Sequence, residues 1–216
     1  MRAIAEAFAV DDVPELDAHY NIAPTQDVAA VRVQSETHRR QLVLLHWGLV
    51  PFWADDPSIG NRMINARAET LASKPAFREA FRQRRCIIVA DGFYEWRKER
   101  RAKQPYHIVP KGEPLFGFAG LWERWKHEGQ TLESCTIVTT EANELIRPLH
   151  DRMPAILAPE DYARWLDPNL REPDKLQSAL RPYPADEMEL YPVNPLVNSP
   201  RNDDPKCIER QQHLFS

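Results

Sequence analysis

The shortness of the apolar runs limits most strongly how this chain can fold. Even the longest runs, such as residues 86–90 (CIIVA), are far shorter than the roughly 20 residues of a membrane-spanning helix. The 216 residues include 19 prolines and only 7 glycines. This balance predicts short elements joined by rigid, irregular connections, and it excludes a glycine-rich phosphate loop. We therefore expect a soluble globular protein with no membrane association.

Hydrophobic periodicity predicts a β-rich chain. Strand patterns occur at residues 28–33, 42–47, 86–90, 106–109, 115–122, 135–140 and 188–193. Short helices are predicted at residues 3–10, 76–84, 141–146, 160–166 and 173–180. In the second of these, Phe77, Ala80 and Phe81 share one face. Two nearly continuous apolar strands suggest burial on both faces. With no repeat and no long linker, residues 1–216 are expected to form a single compact α+β domain.

Neither the N-terminus nor the cysteines point to secretion or to a metal site. Residues 1–10 have no extended apolar core and carry Glu6, so we expect a cytoplasmic protein. Cys86, Cys135 and Cys207 lie far apart without CxxC spacing, which argues against a disulfide framework and a zinc ribbon. We predict no cofactor, no metal and a monomer.

The charge is distributed unevenly along the chain. The formal net charge is -4, yet residues 67–103 hold eleven lysines and arginines against five acidic residues. Such segregation can build an anion-binding face on an acidic protein. The alternative is that residues 82–85 form a solvated helix end and residues 97–103 a solvated hairpin tip.

Four loop segments carry polar residues that folding does not require. They are residues 20–25 (YNIAPT), 64–70 (INARAET), 90–96 (ADGFYEW) and 150–154 (HDRMP). Asn65 and Arg67, two residues apart, could direct an amide and a guanidinium at one ligand. The alternative is loop capping by Asn65 and a surface pair between Arg67 and Glu69.

Glu95 and His150 are the candidate proton-transfer groups. If Glu95 points into an aromatic pocket beside Tyr94 and Trp96, desolvation would raise its pKa and allow proton transfer near neutral pH. Otherwise it is a solvent-facing strand residue paired with Arg97 or Lys98. His150 lies in a polar loop, although a single histidine is more often structural than catalytic.

Aromatic residues accompany the same segments. They are Trp47, Phe52, Trp53, Phe93, Tyr94 and Trp96. Exposed aromatic rings interleaved with arginines suit stacking on unpaired bases. Trp47 is expected in the core, whereas Phe52 and Trp53 are expected to be exposed in a loop.

Taken in order, the motifs YNIAPT, WGLVPFWA, INARAET, ADGFYEW, IVTTEAN and HDRMP resemble the SOS response-associated peptidase (SRAP) family over nearly the whole chain. The resemblance implies a compact α+β fold around an irregular, barrel-like mixed sheet with short peripheral helices and a DNA groove. It also implies a DNA-damage response protein that recognises abasic sites in single-stranded DNA and crosslinks to them. Peptidase-type processing of its own N-terminus, and association with the nucleoid in a bacterium, would accompany this activity.

The resemblance also assigns roles to individual residues. Its catalytic positions are Asn65, Glu95 and His150. Its DNA-binding positions are Asn21, Pro24, Phe52, Trp53, Arg67, Trp96, Thr139 and Arg152. In these roles Glu95 handles protons, His150 protonates the sugar, Asn65 orients the lesion, the arginines grip phosphates and the rings contact bases.

The family nucleophile, a cysteine directly after the initiator methionine, has no counterpart here. Residue 2 is Arg2, and the first cysteine is Cys86. We expect the family segment that carries this cysteine to lie upstream of residue 1. Two alternatives are a degenerate member that binds single-stranded DNA without crosslinking and, less favoured, substitution by Cys86 or Cys135, whose thiols we expect to be buried. Another is a peptidase limited to its own N-terminus, since no Ser-His-Asp or HExxH pattern supports a general protease.

Overall fold

The computed structural model describes residues 2–34, 36–98 and 103–211, which form two β-sheets with short helices outside them. The strands are β1 (Asp27–Val33), β2 (Arg40–Trp47), β3 (Asn65–Arg67), β4 (Arg85–Ala90), β5 (Phe93–Lys98), β6 (Lys103–Pro110), β7 (Phe116–His127), β8 (Gln130–Glu141), β9 (Arg152–Pro154), β10 (Ile156–Leu157) and β11 (Met188–Pro192). The helices are α1 (Arg2–Phe8), α2 (Arg78–Gln83), α3 (Tyr162–Leu166) and α4 (Pro173–Gln177). None of these helices is long and apolar enough to span a membrane.

Five strands of the larger sheet close into a barrel. The order is β7, β4, β1, β2 and β8, and β8 pairs again with β7. Most neighbours are antiparallel, but β2 and β8 run parallel, with Trp47 opposite Cys135. The predicted α+β class and the barrel-like mixed sheet are therefore confirmed.

The barrel strand β4 is buried on both faces along residues 85–88. Ile87, with Leu121 and Val138, belongs to a core that includes Phe8 of α1 and Trp165 of α3. The alternating residues on the opposite face pack in a second core: Cys86, Ile88, Cys135 and Ile137. Both cores exclude water, so the continuous apolar run of residues 86–90 is explained as predicted.

A second, antiparallel sheet packs against the barrel. Its order is β11, β6 and β5. The ring of Phe93 on β5 meets Phe118 of the barrel edge-on, with centroids 5.7 Å apart. Ile108 and Met188 of this sheet join the same core. This contact fixes β5, which carries Glu95, relative to the barrel.

Two elements differ from the sequence prediction. The helix predicted at residues 141–146 is wrong: Glu141 ends β8 and turns follow. The Asn143 side chain accepts a hydrogen bond from the Ile146 N–H (3.0 Å) and donates one to the Tyr183 carbonyl (2.7 Å). The backbone before Asn143 is committed to the sheet, since Glu141 pairs with Arg152, so the helix cannot begin at residue 141.

Residues 90–96, predicted as a loop, contain most of β5. This strand pairs with β6, so the predicted hairpin has both of its strands, although residues 99–102 of its tip lie outside the described residues. Helix α2 begins at Arg78, two residues later than predicted, and it buries Ala80 and Phe81 as expected.

The solvated helix end expected at residues 82–85 is wrong for Arg85, which is only 4% exposed. Its guanidinium donates to the carbonyls of Phe81, Arg82, Trp165, Asp167 and Leu170. Burial lowers the pKa of Arg85 to about 10. Because protein carbonyls surround this guanidinium, Arg85 ties α2 to the α3 region and is not a candidate for ligand binding.

Candidate functional site

Asn65 and Arg67 lie on one exposed face of the short strand β3. The strand runs parallel to β8, with Asn65 opposite Ile137 and Arg67 opposite Thr139. Ala66 between them is buried, so alternation points the two polar side chains to the same side. The predicted convergence of an amide and a guanidinium on one ligand is therefore possible in this structure.

Arg152 on β9 is held in a fixed orientation beside this face. Its guanidinium makes a two-pronged contact with Glu69, at 2.8 and 3.0 Å, and donates to the Thr139 carbonyl at 2.6 Å. The hydrogen bond from Arg152 is the main cause of the lowered pKa of Glu69. The carboxylate thus orients Arg152, whereas the sequence had suggested Arg67 as the partner of Glu69.

Strand β8 brings β3 and β9 together. Its last residues run between these two short strands, and Thr139 pairs with Arg67 on one side and Pro154 on the other. The Thr139 side chain is buried and contacts the Ala66 carbonyl at 3.5 Å. Thr139 therefore contributes by fixing the spacing of its two neighbours.

His150 is exposed next to Arg152. Its Nδ1 accepts a hydrogen bond from the Arg152 N–H (2.9 Å) and lies 3.2 Å from a carboxylate oxygen of Asp151. A ring nitrogen that accepts from an N–H places the proton of the neutral ring on Nε2. The fixed backbone contact thus leaves Nε2 as the nitrogen that can serve a ligand.

Glu95 lies on β5, on the face opposite to its aromatic neighbours. Tyr94 and Trp96 pack with Tyr20 and the C-terminal residues, while Phe93, two residues from Glu95, packs on the barrel. Alternation therefore points Glu95 to the barrel side, where it is half-buried. The pocket of Tyr94 and Trp96, one of the two environments considered for Glu95, is not formed, and the proton-transfer role of Glu95 stays a prediction.

The predicted base-contacting rings have different environments. Phe52 and Trp53 are 54% and 49% exposed in the loop after β2, as expected. Trp96 is half-buried and its indole Nε1 donates to the Asn198 side chain at 2.7 Å. Pro24 is half-buried in the 20–25 loop.

Asn21 differs most from its predicted environment. It is 6% exposed, and its amide nitrogen lies within hydrogen-bond distance of the carbonyls of Val197, Ser199 and Asn202. A phosphate could reach this amide only if those bonds broke. The structure therefore gives the side chain a role in holding the loop, and a DNA contact of this segment stays a prediction.

The three cysteines are all buried. Burial raises the pKa of the Cys86 and Cys135 thiols, as the sequence predicted. A thiol held neutral inside a strand is a poor nucleophile. Within the described ranges, no group of three or more His, Cys, Asp or Glu side chains could hold a metal ion.

The predicted residues thus fall into three groups. Strands β3, β8 and β9 bring together Asn65, Arg67, Thr139, His150 and Arg152. Strand β5 carries Glu95 and Trp96, and the latter is linked to the C-terminal residues and the 20–25 loop. Phe52 and Trp53 occupy a separate loop. Sequence reasoning missed that Glu69 pairs with Arg152 and that Asn198 accepts from Trp96. It also missed Asp203, whose carboxylate accepts from the Tyr20 and Asn21 N–H groups. All of these contacts join distant parts of the chain.

Comparison with known proteins gives consistent matches along the chain. The family model described as SOS response associated peptidase (SRAP) matches residues 1–200. Abasic site processing protein YoqW of Bacillus subtilis is 49% identical over 211 residues, which cover 95% of this chain and 93% of that protein. Abasic site processing protein YoaM of the same organism is 48% identical over 202 residues, with 93% and 88% covered. A crystal structure of a Bacteroides thetaiotaomicron protein has a TM-score of 0.79 at 33% identity, covering 87% of this chain and 82% of that one.

Proposed function

This chain belongs to the SOS response-associated peptidase family, and we propose that it recognises and processes abasic sites in single-stranded DNA. The observation that carries the proposal is the shared exposed face of Asn65 and Arg67 beside the oriented Arg152. Two guanidinium groups suit adjacent phosphates, and the Asn65 amide on the same face as Arg67 suits the hydroxyl groups of a sugar without its base. Relatives that are named abasic site processing proteins support abasic sites as the target.

The chemical step in this proposal is attack by an N-terminal cysteine on the ring-opened abasic sugar. The α-amine adds to the C1′ aldehyde and water leaves, which gives an imine. The thiol then adds across the C=N bond, with sulfur on carbon and the proton on nitrogen, and closes a thiazolidine. No oxidant or reductant is needed. Since Cys86 is the first cysteine of this sequence, the test requires a form that begins with cysteine.

We assign the proton transfers to His150 and Glu95. His150 would donate its Nε2 proton to the sugar O4′ and favour ring opening, because accepting the Arg152 N–H at Nδ1 places the proton of the neutral ring on Nε2. Glu95 would accept a proton from the attacking amine, and Asn65 would orient the sugar. Autoproteolytic release of an N-terminal methionine is a further expectation for the same Glu95 carboxylate.

A second candidate function is non-covalent binding of single-stranded DNA. The burial of all three cysteines favours it for the 216 residues alone. It predicts strong salt dependence and little preference for an abasic site over an intact base.

A gel assay with two protein forms separates these functions. A labelled single-stranded oligonucleotide with one abasic site is incubated with the 216-residue chain and with a form that presents cysteine at its N-terminus. We expect a band stable to denaturation from the second form only, and fluorescence anisotropy should give tighter binding of abasic than of intact oligonucleotide for both forms. Equal affinity for the two oligonucleotides, without a covalent band, would contradict the proposal.

Matched histidines test the assignment of the proton donor. His150→Ala should slow the covalent step about 100-fold, within the range for loss of a general acid. His127→Ala is the control, because His127 is also exposed beside a carboxylate, with Glu128 3.9 Å away. Equal rates for the two variants would remove His150 from the mechanism.

A salt series tests the phosphate contacts. Arg67→Ala should reduce the slope of log affinity against log salt by about 1, as expected for one lost phosphate contact. Arg82→Ala removes an exposed arginine of α2 and should leave the slope unchanged. A slope that falls equally in both variants would indicate general charge attraction without a defined site.

A further inference from the structure

The 20–25 loop is held by the chain's C-terminal segment, which we define as residues 194–207. Asp203 lies at the centre of this contact. One of its carboxylate oxygens accepts hydrogen bonds from the N–H groups of Tyr20 and Asn21, and the other lies 2.6 Å from Nδ1 of His19. Partial burial acts to raise the pKa of Asp203, but these three hydrogen bonds outweigh it and lower the pKa.

The loop returns hydrogen bonds to the same segment. The buried Asn21 amide lies 2.9 to 3.2 Å from carbonyls of Val197, Ser199 and Asn202. Backbone groups of each segment are thus bonded by a side chain of the other. Such reciprocal pairing satisfies buried polar groups and fixes the relative position of the two segments.

The same assembly includes β5. The Tyr94 hydroxyl donates to the Tyr20 carbonyl, and the Trp96 indole donates to Asn198 at 2.7 Å. Glu95 lies between these two aromatic residues in sequence. The loop, the C-terminal segment and the strand that carries Glu95 are therefore joined by direct hydrogen bonds.

The far end of the loop is also anchored, and its backbone is strained. Thr25 has a φ of 75°, a left-handed conformation that is an outlier for a β-branched residue. Its N–H donates to the Trp47 carbonyl at 2.8 Å, and the Gln26 side chain accepts from the Ala23 N–H at 2.7 Å. Strained backbone persists where its surroundings enforce it, and it is frequent at ligand-binding positions.

We propose that Asp203 is a positioning residue that orders the 20–25 loop before DNA binds. The inference rests on the proposed function and on the family resemblance, which implies that this loop and Trp96 contact the DNA. Asp203 itself is bonded to His19, Tyr20 and Asn21, and it acts through the loop, which presents the exposed Ile22 and the half-buried Pro24. A loop ordered in advance loses less conformational freedom on binding, so the contribution of Asp203 is to affinity.

Three variants and two readouts test this role. Asp203→Ala should weaken binding of abasic single-stranded oligonucleotide about 10-fold, because two loop N–H groups lose their acceptor. The covalent rate at saturating DNA, measured with the form that begins with cysteine, should change less than about 2-fold. Asp203→Asn keeps an oxygen for both N–H groups and should bind within about 3-fold of wild type. Asp17→Ala removes an exposed acid near the loop and serves as the charge control.

Hydrogen exchange supplies a readout that does not depend on DNA. The amide protons of Tyr20 and Asn21 should exchange faster in Asp203→Ala than in wild type, and Asp203→Asn should restore their protection. If Asp203→Ala is too unstable to assay, Asp203→Glu, which moves the carboxylate by one methylene, should give a smaller loss of affinity and of protection.

The outcomes separate this inference from the proposed function. Unchanged affinity in Asp203→Ala, beside a wild type that prefers abasic DNA, would overturn only the positioning role. A lower covalent rate at saturating DNA in Asp203→Ala, with unchanged affinity, would also overturn the positioning role. A wild type without any preference for abasic DNA would overturn the proposed function and the DNA role of Asp203 with it, while the exchange data would still report on the loop contact.

Discussion

Arg85 and Arg152 are both held by specific partners, yet their surroundings differ. Arg85 is buried, and its guanidinium donates only to backbone carbonyls, among them those of Trp165 and Asp167. Arg152 is held by Glu69 and the Thr139 carbonyl next to exposed polar side chains on β3 and in the loop before β9. In the first region the arginine completes the fold. In the second, a fixed arginine borders a surface that is open to a ligand.

The comparison distinguishes an arginine that only stabilises the fold from an arginine that borders exposed polar side chains. A fully satisfied guanidinium inside the protein stabilises packing and leaves no donor for a ligand. A polar group that is fixed next to exposed amide, imidazole and guanidinium groups has the arrangement expected of a recognition site, which is the basis of the proposed function. Backbone strain also occurs near the predicted site, since Thr25, which has a left-handed backbone, lies in the loop predicted to contact DNA.

The largest expected effect is on stability at Arg85. Arg85→Met should lower the free energy of unfolding by about 3–5 kcal/mol, because it leaves several buried carbonyls without donors. Urea denaturation followed by circular dichroism measures this loss. Arg82→Met, at an exposed position of α2, should stay within about 0.5 kcal/mol of wild type. Similar losses in both variants would show that the burial of Arg85 is not what distinguishes the two positions.

Arg152→Ala should affect DNA binding more than folding. We expect affinity for abasic single-stranded DNA to fall about 10-fold, or about 1.4 kcal/mol, through loss of an oriented phosphate contact. Fluorescence anisotropy measures the affinity. Arg164→Ala is a matched control, since Arg164 on α3 also pairs with a carboxylate, that of Asp161, at 2.8 Å. If Arg164→Ala weakened binding equally, the contrast between structural and site arginines would fail.

Thr25→Gly should increase stability, in contrast to the losses expected for the arginine variants. Glycine adopts a φ of 75° without steric cost, so the variant should gain up to about 1 kcal/mol of stability from released strain. The shift in urea midpoint tests this gain. A loss of stability would mean that the Thr25 side chain contributes more than its backbone conformation costs.

The smallest expected effect is the pH dependence of the contribution that the Glu69 and Arg152 pair makes to the free energy of unfolding. The pKa of Glu69 is lowered in the folded state, chiefly by its hydrogen bond from Arg152. The pair therefore contributes stability above the ordinary carboxyl pKa, and this contribution is lost as pH falls through the lowered value. Because Glu69 is about half exposed, we expect less than about 1 kcal/mol. Urea denaturation of wild type and Glu69→Gln should show a difference at pH 7 that disappears in strong acid; a constant difference would contradict the assignment.

Much of the fold was predictable from local patterns. The apolar run at residues 86–90 predicted a strand buried on both faces, and the spacing of Ala80 and Phe81 predicted the buried face of α2. The helix predicted at residues 141–146 failed because Glu141 pairs with Arg152 at the end of β8 and turns follow. Arg152 lies beyond these turns on β9, so periodicity could not reveal that pairing.

The candidate site was also predicted only in part from the sequence. The motifs located Asn65, Arg67 and Glu95, and the pattern around Phe52 correctly indicated an exposed ring. The sequence did not reveal that Glu69 pairs with Arg152, across 83 positions, instead of Arg67 two positions away. It also placed Asn21 at a phosphate, whereas the structure buries the amide against the C-terminal segment.

The sequence by itself determined where short strands form, which faces they bury and which polar residues folding does not require, because periodicity and side-chain chemistry are local properties. Only the tertiary structure decided that Arg85 is enclosed by carbonyls, that Arg152 is oriented by Glu69 and that Asp203 holds the 20–25 loop. These contacts join residues about 80 to more than 180 positions apart. Their formation depends on how the barrel closes and which groups it buries, and neither is encoded in neighbouring residues.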